Sequence, residues 1–114
     1  MKFPESNLFF KEEETPWEVV GEGILRQIVG FDETIMMVNV KFNKGAIGSL
    51  HHHPHAQVTN IAEGTFEVII DEEKRILKKG DSFYIPSNKI HGVICLEEGM
   101  LIDVFSPIRE DFIR

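Results

Sequence analysis

Apolar and polar residues alternate along this chain in short runs, and that period sets what it can fold into. In TIMMVNVKF (residues 34–42), Met36, Val38, Val40 and Phe42 share one side of an extended backbone. Met37, Asn39 and Lys41 share the other. Successive side chains of a β-strand leave on opposite faces, so the run predicts a strand with one buried side. ILRQIVGF (24–31), TFEVII, EKRILKK, SFYIP, HGVICLE and MLIDVFS read the same way, separated by Gly, Asn, Asp and Pro. Gly64 is expected to turn the chain between QVTNIAEG and TFEVII. No stretch holds a helical period. About eight or nine strands fit, with turns roughly every 8–12 residues, which is the pattern of an all-β sandwich or small barrel.

At 114 residues with 42% hydrophobic content, the chain suits one domain with its own core. Residues 1–20 read as an N-terminal arm and 21–114 as the domain. Phe3, Leu8, Phe9 and Phe10 give the arm apolar side chains that could cross to a neighbouring copy, so a homodimer is left open. Trp17 is expected to close one end of the core. The net charge of −7 argues against nucleic acid or an anionic membrane surface as a partner. It does not argue against a small anionic substrate, because a local site can oppose the global sign. Cys95 is the single cysteine, so no internal disulfide forms, in keeping with a reducing compartment. The start, MKFPESNLFFKEEET, lacks the apolar core of a signal peptide, and no run approaches the ~20 apolar residues of a membrane span. A soluble, cytoplasmic protein is expected.

Four of the five histidines lie in GAIGSLHHHPHAQVTNIAEG, residues 45–64. His51 and His53 are two apart, so on a strand both rings leave one face, and Gln57 follows in the same register. Two imidazoles and an amide oxygen make part of a metal cage. His91 is the histidine left to complete it. His52 points away from that wall. His55 keeps the parity, but Pro54 breaks the strand before it. The segment GDSFYIPSNKIHGVIC places His91 at the start of a strand, after a turn in which Asn88 tolerates positive φ. An antiparallel return could bring His91 opposite His51 and His53.

These two segments resemble the two motifs of the cupin superfamily. Gly45, His51, His53, Gln57 and Gly64 match the first, with Gln57 where that motif has Glu. Gly80, Pro86, Asn88, His91 and Cys95 match the second, with Asn88 in a Gly place and Cys95 in an Asn place. The resemblance covers roughly residues 40–106. It implies a single cupin β-barrel, the jelly-roll or double-stranded β-helix, holding a divalent metal ion. With a neutral amide in place of a carboxylate, the ion keeps its full charge. That favours Lewis-acid work on an anionic oxygen substrate over redox cycling. Imidazole plus carbonyl oxygen suits Ni, Mn, Fe, Co or Zn.

The last strand, MLIDVFSPIRED, carries a second constellation. Asp103 and Phe105 share parity and could look into the barrel, and Arg109 could fold over its mouth. An aspartate in an apolar strand needs a partner or a task. A carboxylate, an aromatic wall and a guanidinium beside a metal would suit a small carboxylated sugar. An Asp103–Arg109 ion pair closing the barrel end fits the spacing equally well. Tyr84 and Arg26 are further candidates for the cavity wall.

HHHPHAQ, IPSNKIHG and LIDVFSPIREDF together resemble one small-cupin group, the pectin and uronate degradation proteins of the KdgF type. The resemblance implies a metal-dependent isomerase or tautomerase. Its substrates would be 4,5-unsaturated monouronates, the products of polysaccharide lyases, converted by ring opening and ketonisation to linear 5-keto-4-deoxyuronate. It places the metal on His51, His53, Gln57 and His91, and the catalytic roles on Asp103, Phe105 and Arg109. Two other classes stay open: another metal cupin enzyme, such as a dioxygenase or a different sugar isomerase, and a non-catalytic cupin that binds a small acid.

Overall fold

The computed structural model describes residues 4–113, so Phe3 of the arm lies outside them. Eight strands make up most of the described chain: β1 (Glu18–Gly21), β2 (Ile24–Asp32), β3 (Ile35–Phe42), β4 (Ile47–His51), β5 (Ala56–Ile70), β6 (Glu73–Lys78), β7 (Ser82–Ile85) and β8 (His91–Ser106). Every pairing is antiparallel. Short 3-10 turns occupy Glu12–Glu14 and Glu110–Phe112. No helix among the described residues is long and apolar enough to cross a membrane.

β3 does what its alternation predicts. Met36, Val38, Val40 and Phe42 are buried, and Met37 and Lys41 are exposed. The long strands β5 and β8 organise the rest. They pair with each other from Ala56↔Ser106 to Ile70↔His91, and each changes its outer partner midway. The first part of β5 pairs with β7 through Gln57↔Ile85, and the second with β6 through Phe66↔Leu77. The first part of β8 pairs with β4 through His51↔His91, and the second with β3 through Val38↔Asp103. One ribbon therefore runs through both walls of an all-β jelly-roll barrel. The core lies between the walls, around Ile61, Phe66, Cys95, Leu101 and Phe42. Phe42 and Phe66 meet edge to face at 5.2 Å between centroids, a favoured geometry for aromatic pairs.

The expected turn at Gly64 is instead a bend within β5. The pairing of β5 with β8 slips between Ile61 and Phe66. The inward residues change phase across it, from Gln57, Thr59 and Ile61 to Phe66 and Val68. A bulge has this effect, since an extra residue on one strand shifts the register and bends it. Gly64 adopts φ +84° there, and a Cβ would stand 2.5 Å from the Glu98 carbonyl oxygen and 2.6 Å from that of Glu97. HGVICLE and MLIDVFS likewise form one strand, bent opposite Gly64 at Gly99.

The stretch expected to be an arm is partly built into the sheet, because it contains β1. Gln27, 1% exposed, fastens it. Its amide nitrogen donates to the carbonyls of Glu12 and Thr15 at 3.3 and 3.1 Å, and its oxygen accepts from Asn39 at 2.9 Å. Trp17 does not close the core. It precedes the edge strand β1, half-buried on the outer surface, and its ring meets the Lys41 ammonium at 4.2 Å. Asn88 takes φ 64°, the conformation its turn requires.

Candidate metal centre and its cavity

His51 closes β4 directly opposite His91, which opens β8. His53 is not on β4. The strand ends at His51, and His53 sits in the link before Pro54, where its own carbonyl accepts from the Asn88 N–H at 2.8 Å. The backbone turn, not strand parity, aims its ring inward. The three imidazoles still converge, with one nitrogen from each lying within 4.8 Å of the others.

The hydrogen bonds fix the tautomers. Nδ1 of His51, His53 and His91 lies 2.8, 2.9 and 2.9 Å from the carbonyl oxygens of Ser49, His55 and Lys89. A carbonyl only accepts, so each Nδ1 carries the proton and each neutral ring offers a lone pair at Nε2. His91 Nε2 is buried without a protein partner. His53 Nε2 stands 3.0 Å from Gln57 Oε1. The Gln57 amide nitrogen is turned the other way, donating to Thr59 Oγ1 at 3.0 Å. Two lone pairs thus face one another across 3.0 Å, an arrangement that a cation relieves. The residues present fit a divalent ion held by three imidazole nitrogens and an amide oxygen. Burial pushes the His91 imidazole down to about 4 and lowers that of His53, with Arg109 adding to both. Both rings are therefore neutral at neutral pH, the form that binds metal.

The opposite wall carries the second constellation. Asp103 and Phe105 face inward from β8, across from Thr59 and Gln57 in the β5 register. Asp103 Oδ1 accepts from Thr59 Oγ1 at 2.7 Å. Burial pushes the Asp103 carboxyl up to about 6, against the opposing pull of Thr59 and Arg109. The Asp103–Arg109 ion pair is not formed. Arg109 instead forks onto Asp111, with Nε and Nη2 donating at 3.1 and 2.9 Å. Its guanidinium stacks near Phe105 and Phe112, at 5.0 and 4.2 Å from the ring centroids. A cavity of about 160 Å³ joins the walls, lined by His51, Gln57, His91, Asp103, Phe105 and Arg109 among others. A wider hollow of about 820 Å³ opens beside β1 but gathers no histidine.

Other candidates fall outside this arrangement. Tyr84 is exposed on the outer face of β7. Arg26 pairs with Glu18 at 2.8 Å and caps Phe112 at 3.8 Å from its ring centroid. Cys95 is a core residue whose thiol donates to the Glu97 carbonyl at 3.0 Å. His55 turns its Nε2 to the Ile108 carbonyl at 3.1 Å. Sequence reasoning passed over Thr59 and Phe112. Thr59 shares the parity of Gln57, a usable signal. Phe112 reaches the cavity through an irregular tail that no periodicity describes.

These groups give the metal-free protein opposing pH responses. His91 is depressed on folding from about 6.5 to about 4, so its stabilising share is present above ~6.5 and lost as pH falls toward 4. Asp103 is raised from 3.8 to about 6, so its share is present at low pH and lost as pH rises through 6. Between pH 4 and 6 the two slopes offset each other. In chelator, the Asp103→Asn variant is expected to lose thermal stability on acidification more steeply than the parent. Parallel unfolding midpoints across that window would refute this balance.

The barrel with its inward histidines and glutamine defines a class, and the chain belongs to it: residues 38–105 match the cupin domain, and this is a cupin. Within that family it is similar to the pectin degradation protein KdgF of Dickeya dadantii (strain 3937), at 52% identity over 92% of this chain and 97% of that one. The structure of KdgF from Halomonas sp. superposes with a TM-score of 0.90, at 41% identity over 94% of this chain and 99% of the other. An RmlC-like cupin from Shewanella frigidimarina NCIMB 400 gives a TM-score of 0.93, at 44% identity over 95% and 97% of the two chains. Oxalate decarboxylase OxdC of Bacillus subtilis (strain 168) is 31% identical over 82% of this chain, which spans 27% of that protein.

Proposed function

We propose that this cupin converts 4,5-unsaturated monouronates, the products of pectin or alginate lyases, to linear 5-keto-4-deoxyuronate. The observation that carries the proposal is a half-buried carboxyl that lines one small cavity with a cluster of converging lone pairs, with a fixed guanidinium at its edge. The similarity to pectin degradation proteins supports the substrate class.

His51, His53, Gln57 and His91 would hold the divalent ion. When bound, it supplies electrostatic stabilisation to negative charge developing on the substrate's ring oxygen. Arg109 binds the substrate carboxylate, and its fork on Asp111 holds the guanidinium in place. Phe105 packs against the sugar ring. Asp103 takes the proton of the anomeric hydroxyl as the bond from C1 to the ring oxygen breaks. The electron pair is left on that oxygen as an enolate, and C1 becomes an aldehyde. A proton delivered to C4 completes the ketone, so the reaction is an isomerisation with no co-reactant. A carboxyl raised to about 6 is suited to both taking and giving a proton near neutrality.

The direct test is to follow the ultraviolet absorbance of lyase-generated unsaturated monouronate, with and without chelator. Loss of absorbance well above the spontaneous rate, and sensitive to chelator, is the expected result. Metal-loaded protein that leaves the spontaneous rate unchanged would rule the proposal out.

A further inference from the structure

Thr59 is fully buried, at 0% exposure, and lies on β5 directly opposite Asp103 and two residues from Gln57. Its hydroxyl stands between them, 3.0 Å from Gln57 Nε2 and 2.7 Å from Asp103 Oδ1. We propose that Thr59 is a positioning residue whose hydroxyl fixes which end of the Gln57 amide faces the histidine cluster. The inference rests on the metal-centre reading above and deepens it.

The direction follows from counting protons. A hydroxyl has one proton to give and lone pairs to accept with. An ionised carboxylate only accepts, so the Thr59 proton goes to Asp103. Thr59 must then accept from Gln57, which requires the amide nitrogen on that side. The amide oxygen is left pointing at His53. A glutamine amide is nearly symmetric in shape, so packing alone does not choose between its two orientations. The flipped amide would have a stable local outcome of its own. Its N–H would donate to the lone pair of His53 Nε2, now 3.0 Å from the amide oxygen, and remove both ligating atoms at once. Thr59, backed by a longer contact of 3.5 Å from Gln57 Nε2 to Asp103 Oδ1, holds the amide out of that state. Groups that orient a ligand from behind are typically worth about 10–100-fold in metal affinity.

The test uses Co²⁺ as the probe, titrated into metal-free protein against a competing chelator. Affinity and the visible absorption spectrum of the bound ion are both read. Thr59→Val keeps the shape and removes the hydroxyl. Thr59→Ala, run in parallel, removes it without adding a methyl. Both are expected to bind Co²⁺ about 10–100-fold more weakly than the parent, with a shifted spectrum. Thr59→Ser is expected to restore the parent's affinity and spectrum. A hydroxyl with only a structural role would lower the unfolding midpoint of the metal-free protein and leave affinity and spectrum alone. That outcome, or a serine variant as weak as the valine one, overturns the proposal. A parent protein that takes up no Co²⁺ overturns the metal centre itself and the role of Thr59 with it.

Discussion

Asp103→Asn is expected to lower kcat/KM on unsaturated monouronate by about 10²–10⁴-fold, the usual share of a general acid or base, with metal content unchanged. Asparagine has nearly the same shape. Its carbonyl can still accept from Thr59 Oγ1, which now lies 2.7 Å from Asp103 Oδ1. It cannot take a proton from the anomeric hydroxyl or return one to carbon. The contrast between retained metal and lost turnover separates proton transfer from metal binding. Activity near that of the parent, with metal present, would remove Asp103 from the mechanism and leave Arg109 and the ion as the remaining functional groups.

The second large effect is on the fold. Gly64→Ala is expected to destabilise the protein by on the order of 3–5 kcal/mol, combining left-handed backbone strain with a forced overlap. That is a large part of a typical domain's stability. The new methyl would meet backbone oxygens of Glu97 and Glu98 within 2.6 Å, and backbone in the middle of a paired ribbon cannot swing aside. Gly45→Ala is the control. Gly45 has a similar φ of +87°, but nothing lies within 4 Å of its would-be Cβ. Its cost is expected to be only the backbone share, about 1–2 kcal/mol. Unfolding midpoints and m-values in urea measure both. Equal losses would show that the close approach of the two strands is not what demands glycine at position 64.

The sequence made much of this legible because β structure writes its register as parity. The inward face of β3 and the inward aim of Asp103 and Phe105 follow from counting by two, whereas the pairing of His91 with His51 needed an antiparallel return that parity alone does not dictate. Parity failed where the backbone departs from a plain strand. His53 reaches the cluster from a turn. β5 passes through a bulge at which its inward residues change phase, which mimics the end of one strand and the start of another. The partner of Arg109 was also out of reach. Spacing suggested Asp103 alone, and only the fold of the tail brings Arg109 onto Asp111. Thr59 went unremarked because a threonine in a strand usually needs no explanation. Its significance comes from the carboxylate opposite, which lies 44 positions away.

β8 sets its own limits on how this chain can change. His91 stands at its first residue, and Asp103 and Phe105 stand near its last, so both halves of the chemistry hang on one uninterrupted span. Removing a single residue between positions 92 and 102 would rotate everything beyond it by half a pleat. Asp103 would then face solvent and Val104 the cavity. The hairpin at Asp71 and Glu72, between β5 and β6, is tied to the other end of that span: the Asp71 N–H donates to the Ile90 carbonyl at 2.7 Å, and its carboxylate pairs with Lys89 at 3.3 Å. In descendants of this chain, new specificities are therefore open to single replacements along β8, but not to insertions or deletions within β8 itself.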